Sequence, residues 1–120
     1  MKVAYIQYPH TVTLSRLMKT VVSKNNVRIR LETERWMHIV EAHNDIAGML
    51  ELVMETVSEP DRIIEGWEGE LLAVRIIERG KALIVVYRET GVHDGFIITA
   101  YATKRLAWFK KRRIIWQKQQ

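Results

Sequence analysis

The feature that most restricts the fold of this chain is a change of hydrophobic period at Pro60. Beyond it, apolar residues fill 71–77, 82–87 and 96–102, each bounded by short turn-like segments at 66–69, 78–80 and 89–95. Runs of this length read as strands. Their connections are too short to hold crossover helices, so consecutive strands must pair antiparallel.

Before Pro60 the period is helical. Thr33 is placed to cap a helix through the segment Arg35-Trp36-Met37-His38-Ile39-Val40-Glu41-Ala42-His43-Asn44-Asp45, with Glu34 favourable in its first turn. A second helix is predicted over 46–57 from the apolar face of Met49, Leu50, Val53, Met54 and Val57. Ser58-Glu59-Pro60-Asp61 ends it, because proline disfavours helix in the residue before it. Val27-Arg28-Ile29-Arg30-Leu31 alternates as a half-buried strand does. Residues 1–26 carry no separable period: 3–6 is strand-like, Pro9 stops it, 15–22 suits helix or strand, and 23–26 is turn chemistry. The expectation is one α+β domain over 1–120, with N-terminal helices on one face of a four- to five-stranded antiparallel sheet and a basic C-terminal helix or arm over 103–120.

Charge is unevenly placed. The net charge is +5, yet residues 103–120 hold seven basic side chains and no acidic one, leaving a net of −2 in residues 1–102. That asymmetry points to an anionic partner, nucleic acid first and an acidic protein second. Absence of cysteine excludes disulfides and thiolate metal sites and suits a reducing cytoplasm. No apolar run reaches the ~20 residues of a membrane span, and 1–8 lacks the apolar core of a signal peptide. The expected location is the cytoplasm.

Trp36, Val40 and His43 fall at i, i+4 and i+7, so His43 ends an apolar helical stripe. His38 lies about 140° round the helix from it. At five residues apart the two cannot copy the i, i+4 zinc pair of a His-Glu-x-x-His helix, so no metal is expected, and no nucleotide-binding glycine motif is present.

Four motifs occur in order: Trp-x-His-Ile-x-x-x-His at 36–43, Glu-Pro-Asp-Arg-Ile at 59–63, Lys-x-Leu-x-Val-Val at 81–86 and Ile-Ile-Thr-Ala-Tyr at 97–101. Together they resemble the barnase–EndoU–colicin–RelE-like nuclease superfamily, in its phage-associated branch, over roughly 35–104. The resemblance implies a toxin-like, metal-independent endoribonuclease of a toxin–antitoxin or prophage system, needing no cofactor and countered by a protein antitoxin. By position it carries the site onto His38 and His43, a cation among Arg75, Lys81 and Arg88, then Thr99 and Tyr101. The family often has arginine before its second histidine and proline after it; here the context is Ala42-His43-Asn44-Asp45.

Metal-free RNA cleavage needs a base for the ribose 2′-OH, an acid for the leaving 5′-oxygen and cations for the phosphate. Histidine titrates near working pH, which makes His43 the first candidate for base or acid. The bland alternative is a hydrogen-bonded histidine at a helix end. His38 points elsewhere, so a structural role suits it equally; His10 and His93 read as surface residues. Thr99 and Tyr101 share one sheet face, as a phosphate-binding pair or as ordinary strand formers. Arg75 interrupts an apolar strand and therefore needs either a carboxylate or an anionic ligand. Lys81 and Arg88 suit RNA contact or a solvated edge. Lys104, Arg105, Lys110, Lys111, Arg112 and Arg113 can follow an RNA backbone while Trp108, Phe109 and Trp116 stack on bases; equally, those rings anchor a core. The alternatives to an enzyme are a non-catalytic nucleic-acid- or protein-binding domain and a homo-oligomer joined through a sheet edge.

Overall fold

A computed structural model describes residues 18–119. Its strands are β1 (Met18–Val22), β2 (Arg28–Glu32), β3 (Arg62–Glu65), β4 (Leu71–Glu78), β5 (Lys81–Glu89), β6 (Gly95–Thr103) and β7 (Ile114–Gln117). Its helices, both between β2 and β3, are α1 (Thr33–Ala42) and α2 (Leu50–Ser58), separated by a 3-10 turn at Asn44–Ile46; a second 3-10 turn spans Ala107–Lys111. All seven strands form one sheet in the order β1-β2-β6-β5-β4-β3-β7. The strand-like 3–6 segment and His10 lie outside the described residues.

The expected helical layer on four or five antiparallel strands is corrected at three points. The helices are not N-terminal, because the β1–β2 hairpin precedes them, turning at 23–26 with Asn26 at φ 63°. The sheet is mixed rather than antiparallel, because β2 lies parallel to β6 at Ile29↔Gly95 and Arg30↔Phe96. The C-terminal segment is neither helix nor free arm: after its 3-10 turn it pairs as β7 against β3. Turn lengths dictate how neighbours in sequence pair, but β2 and β6 meet across 65 residues, where no local period speaks.

Thr33, expected as the helix cap, is instead the first residue inside α1. Helix α1 starts at Thr33 with Glu32 in extended backbone as its N-cap, so no loop intervenes between β2 and the helix. Where 46–57 reads as one helix, a 3-10 turn ends at Ile46 and α2 begins only at Leu50.

Both sheet faces carry cores. On one, Ile39 of α1 and Val53, Met54 and Val57 of α2 pack on Ile29, Leu31, Ala73, Leu83, Val85, Tyr87 and Ala100. On the other, Phe109 from the second 3-10 turn caps Ile64, Leu72, Val74, Ala82 and Ile84. This two-sided burial explains why β4 and β5 read as continuous apolar runs rather than alternating ones. Tyr87 is buried with its hydroxyl unpartnered among the described residues, and burial with Glu89 nearby keeps that phenol protonated.

Two fastenings hold the sheet's outer strands. At Gly95, an added Cβ would stand 2.4 Å from the Arg88 carbonyl oxygen and 2.6 Å from Ile29 Cδ1. A side chain there would run into the β5 backbone and press on the Ile29 side chain of β2, so glycine suits this junction of three strands. At the opposite side, Asp61 accepts from the Ile76 N–H at 2.7 Å and pairs with Lys118 Nζ at 3.0 Å, while its own carbonyl accepts the Lys118 N–H at 3.0 Å. Partial burial works against the Asp61 charge, but the Ile76 N–H and Lys118 outweigh it and hold its carboxyl below the ordinary 3.8.

Gly95→Ala is expected to destabilise the protein by ~1–3 kcal/mol through overpacking, read as a lowered urea midpoint at unchanged slope. An unchanged midpoint would show that the strands around position 95 make room for a side chain. Because the folded Asp61 value is lowered, its stabilisation is present above pH 3.8 and is lost as the pH falls through the folded value. Urea midpoints should therefore fall more steeply with acidification in the wild type than in Asp61→Asn; parallel profiles would refute the clamp.

Candidate functional site

The parallel contact of β2 with β6 ends at Phe96, so among the described residues no strand pairs with Ile97–Thr103 on that side. Helix α1 continues β2 without a loop and lies against that open edge of β6. Ile39 anchors it in the core, with Trp36 half-buried beside the same cluster. At its end the backbone leaves helical geometry at His43, whose N–H still donates to the Ile39 carbonyl at 2.9 Å. The half-buried His43 ring thereby reaches Tyr101, with centroids 5.8 Å apart and planes tilted by 37°.

Cross-strand register fixes what else shares that surface. Tyr101 lies opposite Ile84 and Thr99 opposite Val86, placing both on the face away from the helices. Thr99 sits about 7 Å along the strand from Tyr101. Burial raises the Tyr101 phenol above its ordinary 10, so it is a proton and hydrogen-bond donor across the physiological range. Lys104 and Arg105 are exposed just beyond the end of β6, where the Arg105 N–H donates to Thr103 Oγ1 at 3.0 Å. His43 and Tyr101, from elements far apart in sequence, are thus brought together at one sheet edge, with Thr99 two residues back along the same strand.

Other candidates go elsewhere. Arg75 lies opposite Leu83 on the helix-side face, not with Tyr101. Its Nη1 pairs with Glu55 Oε2 at 3.1 Å and donates to the Glu59 carbonyl at 3.4 Å. It satisfies the need for a carboxylate and sits favourably at the C-terminal end of α2. His38 is 64% exposed and faces Glu41, 3.4 Å away, one helical turn on. Lys81 lies 3.8 Å from Glu78 across the tight turn joining β4 and β5. Arg88 extends to the turn between β3 and β4, beside Gly69 and Glu70. His93 is exposed in the loop before β6. Among the described residues no group of three or more His, Asp or Glu is placed to hold a metal ion, and no helix is long and apolar enough to cross a membrane.

The basic segment divides. Lys110, Lys111 and Arg113 are exposed, whereas Arg112 is half-buried and donates to the Glu65 and Gly66 carbonyls at 3.1 and 2.5 Å. Phe109 is core, Trp108 packs against that core, and Trp116 is half-buried under Lys24.

Two features of the surface escape sequence reading. Arg30 stacks 5.7 Å over the Phe96 ring beside a cavity of about 180 Å³ lined by Arg30, Glu32, Arg35, Phe96 and Ile97. That cavity depends on the β2–β6 contact, which sequence does not announce. Trp67 is 63% exposed. Its signal is present in the sequence, since an indole within a Gly66–Gly69 turn has no sheet face to bury against.

A double-mutant cycle with Arg75→Ala and Glu55→Ala is expected to give ~0.2–1 kcal/mol of coupling in urea unfolding. Zero coupling would return Arg75 to the cations free to meet a ligand. No family model, curated protein or solved structure matches this chain, so the site is read from its geometry alone.

Proposed function

We propose that this protein is a metal-independent endoribonuclease that cleaves RNA by attack of the ribose 2′-OH on the adjacent phosphate. The observation that carries the proposal is the meeting of His43 with Tyr101 at the open edge of β6. The imidazole takes the 2′-OH proton. The phenol, kept protonated by its burial, donates to the 5′-oxygen as the P–O bond breaks, leaving a cyclic phosphate on one fragment and a 5′-hydroxyl on the other. Thr99 offers a hydroxyl to a non-bridging oxygen, and Lys104 and Arg105 supply positive charge for the pentavalent phosphate. In the resembled superfamily such enzymes are toxin-like, which extends the proposal to a protein antitoxin.

A second reading is a non-catalytic RNA-binding domain on the same scaffold. The engagement of Arg75 with Glu55 favours it, because that cation is spent on α2 rather than on a phosphate.

Purified protein incubated with total RNA in EDTA is expected to release fragments ending in 2′,3′-cyclic phosphate. His43→Ala should slow this by ~10²–10⁴-fold, with a smaller loss for Tyr101→Phe. Equal cleavage by wild type and His43→Ala, or none by either, would sink the catalytic reading and leave the binding domain.

A further inference from the structure

Trp67 stands apart from the other three tryptophans, which are half-buried. An exposed indole on a loose loop would be ordinary, but this one is held. The Arg112 guanidinium lies 4.3 Å from its ring centroid, and Trp108 stands 5.1 Å away at an interplanar angle of 35°. Arg112 is itself fixed by the Glu65 and Gly66 carbonyls, and the Arg113 carbonyl accepts the Glu65 N–H at 2.9 Å. The turn between β3 and β4 and the C-terminal segment therefore form one unit. On it, Lys110, Lys111 and Arg113 are exposed close in sequence to the residues that grip the indole. The acidic side chains of the turn are partly occupied: Glu70 accepts the Glu68 N–H at 2.7 Å and faces Arg88.

We propose that Trp67, clamped by Arg112 and Trp108, is a stacking platform for an unpaired base of single-stranded RNA whose backbone runs along Lys110, Lys111 and Arg113. The proposal adds a subsite to the ribonuclease reading, and it stands or falls separately from catalysis. Chemistry selects this ligand. A held, exposed ring accepts any base by its π-face, and the exposed cations of the 110–113 segment, which contains no carboxylate, attract phosphates despite Glu68 beside the ring. Duplex RNA has its bases stacked and its deep groove closed to side chains, so it cannot use the ring. Pre-fixing the indole also lowers the entropy lost when a base settles on it.

The test uses a fluorescein-labelled 2′-O-methyl oligoribonucleotide, which lacks the attacking hydroxyl and so separates binding from cleavage. Anisotropy titrations compare full-length wild type, Trp67→Ala, Trp67→Phe and a triple Lys110→Gln, Lys111→Gln, Arg113→Gln variant. Trp67→Ala is expected to weaken binding by ~10-fold or more with an unchanged salt slope, and Trp67→Phe to recover most of the loss. The triple variant should flatten the salt slope, and a pre-formed duplex should bind without dependence on Trp67. Wild-type affinity in Trp67→Ala overturns the proposal, as does failure of the wild type to bind single strands at low salt. Unaltered RNA affinity of Trp67→Ala combined with loss of a co-purifying protein overturns it in favour of a protein interface. Binding that depends on Trp67 without any cleavage of ordinary RNA would sustain the platform and defeat the nuclease.

Discussion

The joining of the β1–β2 hairpin to the rest of the sheet runs through one close approach. Gly95 has no Cβ, and that absence lets the Ile29 side chain and the Arg88 carbonyl occupy the space beside β6. Through it the β1–β2 hairpin joins the strands that follow Pro60, and α1, continuous with β2, is delivered to the edge of β6. His43 meets Tyr101 on a helix that begins where β2 ends, and β2 pairs with β6 at Gly95 and Phe96.

What the chain discloses before folding follows from the range of the interaction. The strands after Pro60, the helical stripe through Trp36, Val40 and His43, and the alternation at 27–31 are local, and each is readable within a dozen residues. The parallel β2–β6 contact and the pairing of β7 with β3 are remote, and both escape. Leu106–Phe109 and Ile114–Trp116 look like anchors for a basic helix, yet two short apolar clusters separated by four cations serve equally as a capping turn and an edge strand. Charge pattern alone cannot separate these outcomes, since Lys110, Lys111 and Arg113 are solvated in either.

The same distinction applies to the site. An unpaired charge in an apolar strand demands a partner, and Arg75 finds a structural one in Glu55. His43 and Tyr101 are each picked out in the sequence, but that they meet becomes visible only in the fold. Aromatic residues mislead in a further way: those in the basic segment serve packing, while the exposed ring belongs to a turn forty residues earlier. The difference lies in what each ring can be buried against, which is a property of the sheet faces rather than of the local sequence.

The fastening of β7 has a practical meaning for how the charged segment can be studied. Residues 114–117 complete the sheet beside β3, Lys118 closes on Asp61, and Phe109 covers the second core. Truncation would therefore uncover a strand edge and a hydrophobic layer together with removing cations, and the resulting protein would report on aggregation as much as on affinity. Side-by-side charge neutralisation at the solvated positions leaves the architecture standing. In this chain the electrostatic surface and the closing seam of the sheet are written in the same eighteen residues, so the two can be separated only one side chain at a time.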